Sequence, residues 1–222
     1  MTKIAALVPM RHHSQRVPKK NYRYLGGKPL FHHIISTLLQ VPEIDQICVN
    51  TDSPPIMDGL ERYFPSVTVI DRPEELCADN ISMNRIITHE ISLIQAEYYL
   101  QTHSTNPLLS SETISGAIRF FLDNLEQYDS LFSVTRIQTR LYDGEGRAIN
   151  HDPAELIQTQ DLPPVFEENS CLYLFSEKSL LENNHRIGKK PCMYEIDSRE
   201  AWDIDNPLDF RIVNYLIANS DG

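Results

Sequence analysis

The densest positive charge in the chain is Arg11-His12-His13-Ser14-Gln15-Arg16-Val17-Pro18-Lys19-Lys20-Asn21, directly after the apolar run IAALVP. It gathers four of the 20 Lys and Arg residues within ten positions, in a chain of net charge −11. A guanidinium can grip two phosphate oxygens at once and an ammonium acts as a point charge. Arg11, Arg16, Lys19 and Lys20 therefore suit a polyphosphate, the alternative being a solvated basic loop between a strand and a helix. Neither GxxxxGK[ST] nor GxGxxG is present. The second constellation is Asp203-Ile204-Asp205 in EAWDIDNPLDF. Residues two apart in an extended segment point the same way. Two carboxylates on one face can hold Mg²⁺ together with waters and phosphate oxygens, and such an ion would polarise a phosphate held by the basic loop. The alternative is that Asp205 or Asn206 caps the terminal helix.

Other polar groups are less telling. Asn50-Thr51-Asp52-Ser53 reads as a helix-entry turn. In Asp71-Arg72-Pro73-Glu74-Glu75-Leu76-Cys77-Ala78-Asp79, Arg72 is either a paired structural arginine or a nucleotide contact. The pairs His12/His13 and His32/His33 belong to no zinc-binding pattern, and no nucleophile elbow occurs. Cys48, Cys77, Cys171 and Cys192 are scattered and form no CxxC, as expected of reduced, mainly buried thiols.

These groups must be positioned by a framework. The 222 residues suit one α/β domain spanning 1–222. Strands are expected at 4–9, 44–50, 67–70, 98–102, 130–134, 171–175 and 192–196, and helices at 30–40, 56–63, 84–96, 112–125, 177–183 and 207–218. This alternation argues for a mostly parallel sheet flanked by helices, with ligands beyond the carboxyl ends of the strands. Residues 136–168 break the pattern with polar turns and read as a projecting arm. The arm also carries Leu141, Tyr142, Leu156, Ile157, Val165 and Phe166, which predicts a homodimer. With 31 acidic residues against 20 basic ones, the chain is ill suited to nucleic acid or an anionic membrane surface. No window approaches a membrane span, and the opening MTKIAALVPM lacks signal-peptide features, so a cytoplasmic location is expected.

Together these segments resemble the cytidylyltransferases that activate acidic sugars, the CMP-sialic acid synthetases and their CMP-KDO synthetase relatives. ALVPMRHHSQRVPKKN resembles the family's opening strand and phosphate loop, and RPEELCAD its RPxELAxD segment. YLQTHSTNPLL is similar to LLQPTSPLR, DLPPVFEENSCLYLF to LPxxFxxNGAIYxF, and WDIDNPLDF to IDIDTxxDL. The resemblance implies a Rossmann-like nucleotide-diphospho-sugar transferase fold with a dimerisation arm, CTP as donor and Mg²⁺ as cofactor. It assigns Arg11, Arg16 and Lys20 to the phosphates and Ser14, Asn21, Arg72 and Asp79 to the nucleotide side. Gln101 falls on the acceptor side, and Asp203 and Asp205 on the metal. His12 and His13 stand where the family has small residues, Leu109 where it has Arg, and Glu167 and Ser170 where Arg and Gly are common. An acidic sugar needs a cation, for which Arg140 in the arm is the candidate. The expected reaction is attack of an anomeric hydroxyl on the α-phosphate of CTP. The rivals are another nucleotide or acceptor on the same fold, and a non-catalytic nucleotide-binding subunit.

Overall fold

The computed structural model describes residues 3–219. Its opening strand β1 (Ile4–Met10) is buried at every position, as a run of apolar residues central to a two-faced sheet must be. A short hairpin follows, β2 (Tyr24–Leu25) and β3 (Lys28–Pro29). Its two-residue turn needs positive φ at both positions, which Gly26 (54°) and Gly27 (83°) supply. Next come α1 (Leu30–Leu38), β4 (Gln46–Thr51), α2 (Pro54–Tyr63), β5 (Thr68–Asp71) and α3 (Met83–Leu93). The chain continues through β6 (Tyr98–Thr102), α4 (Ser111–Asp123), β7 (Ser130–Ile137) and β8 (Val165–Phe175). It closes with α5 (Glu177–Asn183), β9 (Pro191–Glu195) and α6 (Pro207–Ala218).

Seven strands form one sheet in the order β5-β4-β1-β6-β8-β7-β9, and β8 alone runs against the rest. Buried side chains of α1, α2 and α4 pack on one face and those of α3 and α5 on the other. The chain moves outward from β1 to β4 and β5, then returns to β6 on the opposite side of β1. That reversal opens a crevice beyond the carboxyl ends of β1 and β6, the place where open α/β sheets bind ligands.

A third apolar cluster positions the site. It joins Val17 of the basic loop, Leu25, Leu30, Ile204 and, from α6, Phe210 and Val213. Val17 and Ile204 have no exposed surface, so their burial packs the basic loop against the DID segment.

The expected mostly parallel sheet flanked by helices is present. The 136–168 excursion is narrower than expected: Arg136 and Ile137 extend β7 and pair with Phe166 and Val165 of β8. Polar residues such as Glu167 and Glu168 hid this strand, because it leaves the core while still pairing. The hairpin β2–β3 was also missed, being too short to show a period. Residues 138–164 form the excursion proper, stitched by Asn150, whose side chain donates to the Thr139 and Pro163 carbonyls and accepts from Leu141 N. All four cysteines are free, and Cys77 alone is not buried. No helix among the described residues is long and apolar enough to cross a membrane.

Candidate active site

Beyond β1 and β6 lies a cavity of about 290 Å³ whose lining includes Arg11, His13, Ser14, Arg16, Lys20 and Asn21. From β6 it receives His103, Ser104 and Thr105. The loop is fixed from below: Asn21 Nδ2 donates to the Arg11 carbonyl (2.8 Å) and Asn21 Oδ1 accepts from Ser104 (2.8 Å). His12, whose bulk stands where the resemblance has a small residue, turns out of the cavity. Its Nδ1 contacts Ser53 Oγ (2.8 Å) and its ring stacks on Tyr22. His13 keeps its place in the cavity wall.

A second cavity, about 430 Å³, has Asp203 and Asp205 in its wall with Glu167, Glu168 and Ser170. The two spaces meet at an ionic junction. Asp205 accepts from Arg16 (2.8 Å) and lies 3.7 Å from Lys20 Nζ, which donates to the Ile204 carbonyl (2.7 Å). Burial holds the Lys20 ammonium below its usual pKa, while Asp203 and Asp205 pull it back up. Arg11 pairs with Asp79, and Gln15 donates to the same carboxylate. Exposed pairs of this kind are worth about 0–1 kcal/mol, so a triphosphate can take over these cations at little cost.

The capping alternative is resolved by Asn206. Its side chain accepts from the Leu208 and Asp209 amides, and Asp209 answers by accepting from Asn206 N, completing a capping box. Neither Asp203 nor Asp205 is needed as the cap. Asp203 is held above the usual carboxylate range chiefly by burial, against which a hydrogen bond from Thr105 works. Its Oδ1 is buried with no hydrogen-bond partner. An orphaned carboxylate oxygen two residues from a second carboxylate fits a hard cation. Among the described residues no cluster of three or more His, Cys, Asp or Glu forms a metal cage. Two carboxylates completed by substrate oxygens is the manner of Mg²⁺ rather than Zn²⁺.

The sequence pattern of the family described as Cytidylyltransferase matches residues 5–206. The chain belongs to the cytidylyltransferase family. It is 29% identical to the CMP-N,N'-diacetyllegionaminic acid synthase of Legionella pneumophila, over 97% of this chain and 96% of that protein. It is 27% identical to an N-acylneuraminate cytidylyltransferase of Escherichia coli over 95% of this chain, but spans only 51% of that longer protein. Its fold is similar to that of a CMP-2-keto-3-deoxy-manno-octonic acid synthetase solved with CTP. The TM-score is 0.72 at 14% identity, covering 99% of this chain and 100% of that one.

In this cytidylyltransferase the expected phosphate, nucleotide and metal residues Arg11, Ser14, Arg16, Lys20, Asn21, Asp203 and Asp205 gather around the two cavities. Arg72 is buried, and donates to Asn50 Oδ1 (2.7 Å) and the Asn50 carbonyl (2.9 Å). It also shares the wall of a smaller cavity with Arg11 and Asp79. Gln101 is fully buried at the end of β6, with no exposed surface through which to touch a sugar directly. Arg140 donates to the Ile157 carbonyl within its own arm (2.5 Å) and lines neither site cavity. Leu109 is buried in the core, where an arginine would be stranded. The extra residues before it grip the closing segment, with the Thr105 carbonyl accepting from Ile204 N (2.9 Å).

His103, Ser104 and Thr105 of the cavity wall were not singled out from the sequence, nor was Arg186. Arg186, in the loop after α5, donates to Gln101 Oε1 (2.6 Å) and lies 3.5 Å over the centre of the Tyr173 ring. It stands in HRIGKK with Lys189 and Lys190, a short basic stretch that matches no binding motif. Gln101 presents its amide nitrogen to His103 Nε2 (3.0 Å). Because an amide nitrogen only donates, His103 accepts at Nε2 and carries its proton on Nδ1. Burial, with Arg186 and Lys20 adding repulsion, pushes the His103 pKa down to about 3. The imidazole is neutral and presents a donor, not a base.

Proposed function

We propose that this cytidylyltransferase joins CMP from CTP to the anomeric hydroxyl of an acidic sugar of the nonulosonic or octulosonic type, releasing pyrophosphate. The observation that carries the reading is the junction of Arg16 and Lys20 with Asp205, which sets triphosphate-binding cations against paired carboxylates at the switch point of the sheet. The names of the two relatives described above, a CMP-N,N'-diacetyllegionaminic acid synthase and an N-acylneuraminate cytidylyltransferase, support the acceptor class.

Arg11, Arg16 and Lys20 neutralise the triphosphate, and Ser14 offers a neutral donor in the same wall. The acceptor oxygen forms a bond to the α-phosphorus as the bond to the bridging oxygen of the β-phosphate breaks, and the hydroxyl proton passes to solvent. Alignment and fixed charge supply most of the rate. Asp203 and Asp205 would hold Mg²⁺, which supplies Lewis-acid charge beside the reacting phosphate. His103, in the wall of the same cavity, stays neutral and takes no proton itself. The arm extends the proposal to a homodimer. Leu156 is 89% exposed, and Tyr142, Ile149 and Ile157 are also open, a surface that suits a second copy of the chain. Light scattering at micromolar concentration should give twice the chain mass; a monomer ends the dimer proposal.

The test of the reaction is mass spectrometry of CMP conjugates after incubation with CTP, Mg²⁺ and a panel of sialic, legionaminic, pseudaminic and octulosonic acids. A conjugate with at least one acid is expected. CTP binding without any conjugate would instead favour a non-catalytic subunit, and faster turnover with another nucleotide would remove CTP from the account.

A further inference from the structure

Arg186 is a half-buried guanidinium whose hydrogen-bond and ring partners in the chain are neutral, with the Glu168 carboxylate acting on it from farther away. One N–H donates to the Gln101 carbonyl oxygen and the plane rests on the Tyr173 ring. Among the described residues it forms no ion pair. The nearby Glu168 carboxylate instead accepts a short hydrogen bond from the Tyr173 hydroxyl, which also lies 3.1 Å from Ser170 Oγ. A cation withdrawn from water with no carboxylate in direct contact is costly, and an arriving anion would complete it.

Its position says which anion. Through Gln101, Arg186 connects to His103, which stands in the wall of the cavity lined by the phosphate loop. Through Tyr173 it connects to Ser170 and Glu168, which share a cavity wall with Asp203 and Asp205. In a 2-keto acid sugar the anomeric carbon carries both the attacking hydroxyl and the carboxylate. The cation that reads the carboxylate must therefore lie near the phosphate and metal groups, and Arg186 is one residue removed from both cavity walls, through Gln101 to His103 and through Tyr173 to Ser170.

We propose that Arg186 pairs with the carboxylate of the acceptor sugar and sets the preference for acidic acceptors, with Gln101 and Tyr173 holding its plane. This rests on the acidic-sugar reading above. Gln101 is thus a positioning residue: fully buried, it acts on the acceptor through Arg186.

The experiment compares wild type, Arg186→Met and Arg186→Lys in steady-state kinetics, using an acid that the wild-type chain turns over and the C1 methyl ester of that acid. Arg186→Met keeps most of the stem that covers Tyr173 and removes the charge. It is expected to raise the KM for the acid by on the order of tenfold to a hundredfold, with the KM for CTP within about twofold. The wild-type preference for acid over ester should disappear in Arg186→Met and return in part in Arg186→Lys. An unchanged KM for the acid, or an equal loss with acid and ester, overturns the proposal; the second result marks Arg186 as structural. Failure of the wild type on every acid refutes the functional reading itself, and is seen before any variant is made.

Discussion

The two halves of the site are built differently. The proposed phosphate half comes from two short stretches, residues 11–21 with four cations and residues 203–205 with two carboxylates. A single apolar cluster containing Val17 and Ile204 holds them together. The acceptor half is assembled from single residues far apart in the chain: Gln101 on β6, Glu168, Ser170 and Tyr173 on β8, and Arg186 beyond α5, 85 positions from its partner Gln101. Charge that is concentrated locally survives changes elsewhere in the fold. Charge contributed one residue at a time depends on the strands that bring it in, so the acceptor half is where a family can vary its chemistry.

The largest test of this division falls on the phosphate half. Asp203→Asn and Asp205→Asn should each lower turnover by roughly a hundredfold or more, the scale for losing a preorganised charge at a reacting centre. Melting temperature should barely move, because Asn206 and Asp209 provide the helix cap without either aspartate. Near-normal turnover in both variants would take the metal out of the account. A large fall in melting temperature would mean that the pair is structural. A Mg²⁺ titration of each variant separates weakened metal affinity from lost chemistry.

Lys20→Met comes next. The ammonium is the most enclosed of the loop cations, with 14% of its side chain exposed against 66% for Arg16. Its loss should lower kcat/KM for CTP by on the order of tenfold to a hundredfold, and Arg16→Met by less, because an exposed charge is replaced more readily by solvent. Equal effects from the two variants would break the ranking by burial and show that the loop reorganises around the nucleotide.

The same difference in construction decided what could be read from the sequence. The strand and helix alternation, the basic loop and the DID pair were legible, since each is a local pattern. The bend of β8 was not. Ser170 sits at φ 60°, a left-handed conformation that favours glycine, beside a register shift between Phe132 and Val134. Only the Gly of the resembling motif hints at that geometry. Arg140 was chosen because an acidic sugar needs a cation and the arm of the resembling family reaches a neighbouring site; within one chain its guanidinium donates to the arm's own Ile157 carbonyl. Arg186, one basic residue in HRIGKK, carries no pattern, and only the pairing of β6 with β8 brings Tyr173 opposite Gln101 and both beside it.

Arg72 lies on the border between scaffold and site, and Glu90 offers the smallest and most specific test of where it belongs. Glu90 projects from α3 into the interior, is 1% exposed, and neither carboxyl oxygen has a hydrogen-bond partner. Burial pushes its pKa from the usual 4.5 up to about 8, with Arg72 the opposing charge. Below pH 4.5 the group is protonated in both the folded and unfolded chain and costs nothing. Between 4.5 and 8 the unfolded chain sheds the proton while the folded chain keeps it, so stability falls as pH rises. Above 8 the folded chain must hold a buried carboxylate, and the penalty is complete. Glu90→Gln removes this titration. Its unfolding free energy should fall less between pH 6 and pH 8.5 than that of the wild type, by about 2 kcal/mol, as read from urea melts at the two pH values. If Arg72 is scaffold, held by Asn50, the KM for CTP should stay within about twofold at either pH. A shifted KM with unchanged urea melts would reverse the assignment: the Glu90 charge would then be tuning Arg72 as a nucleotide contact, and the phosphate half would extend to the far edge of β4.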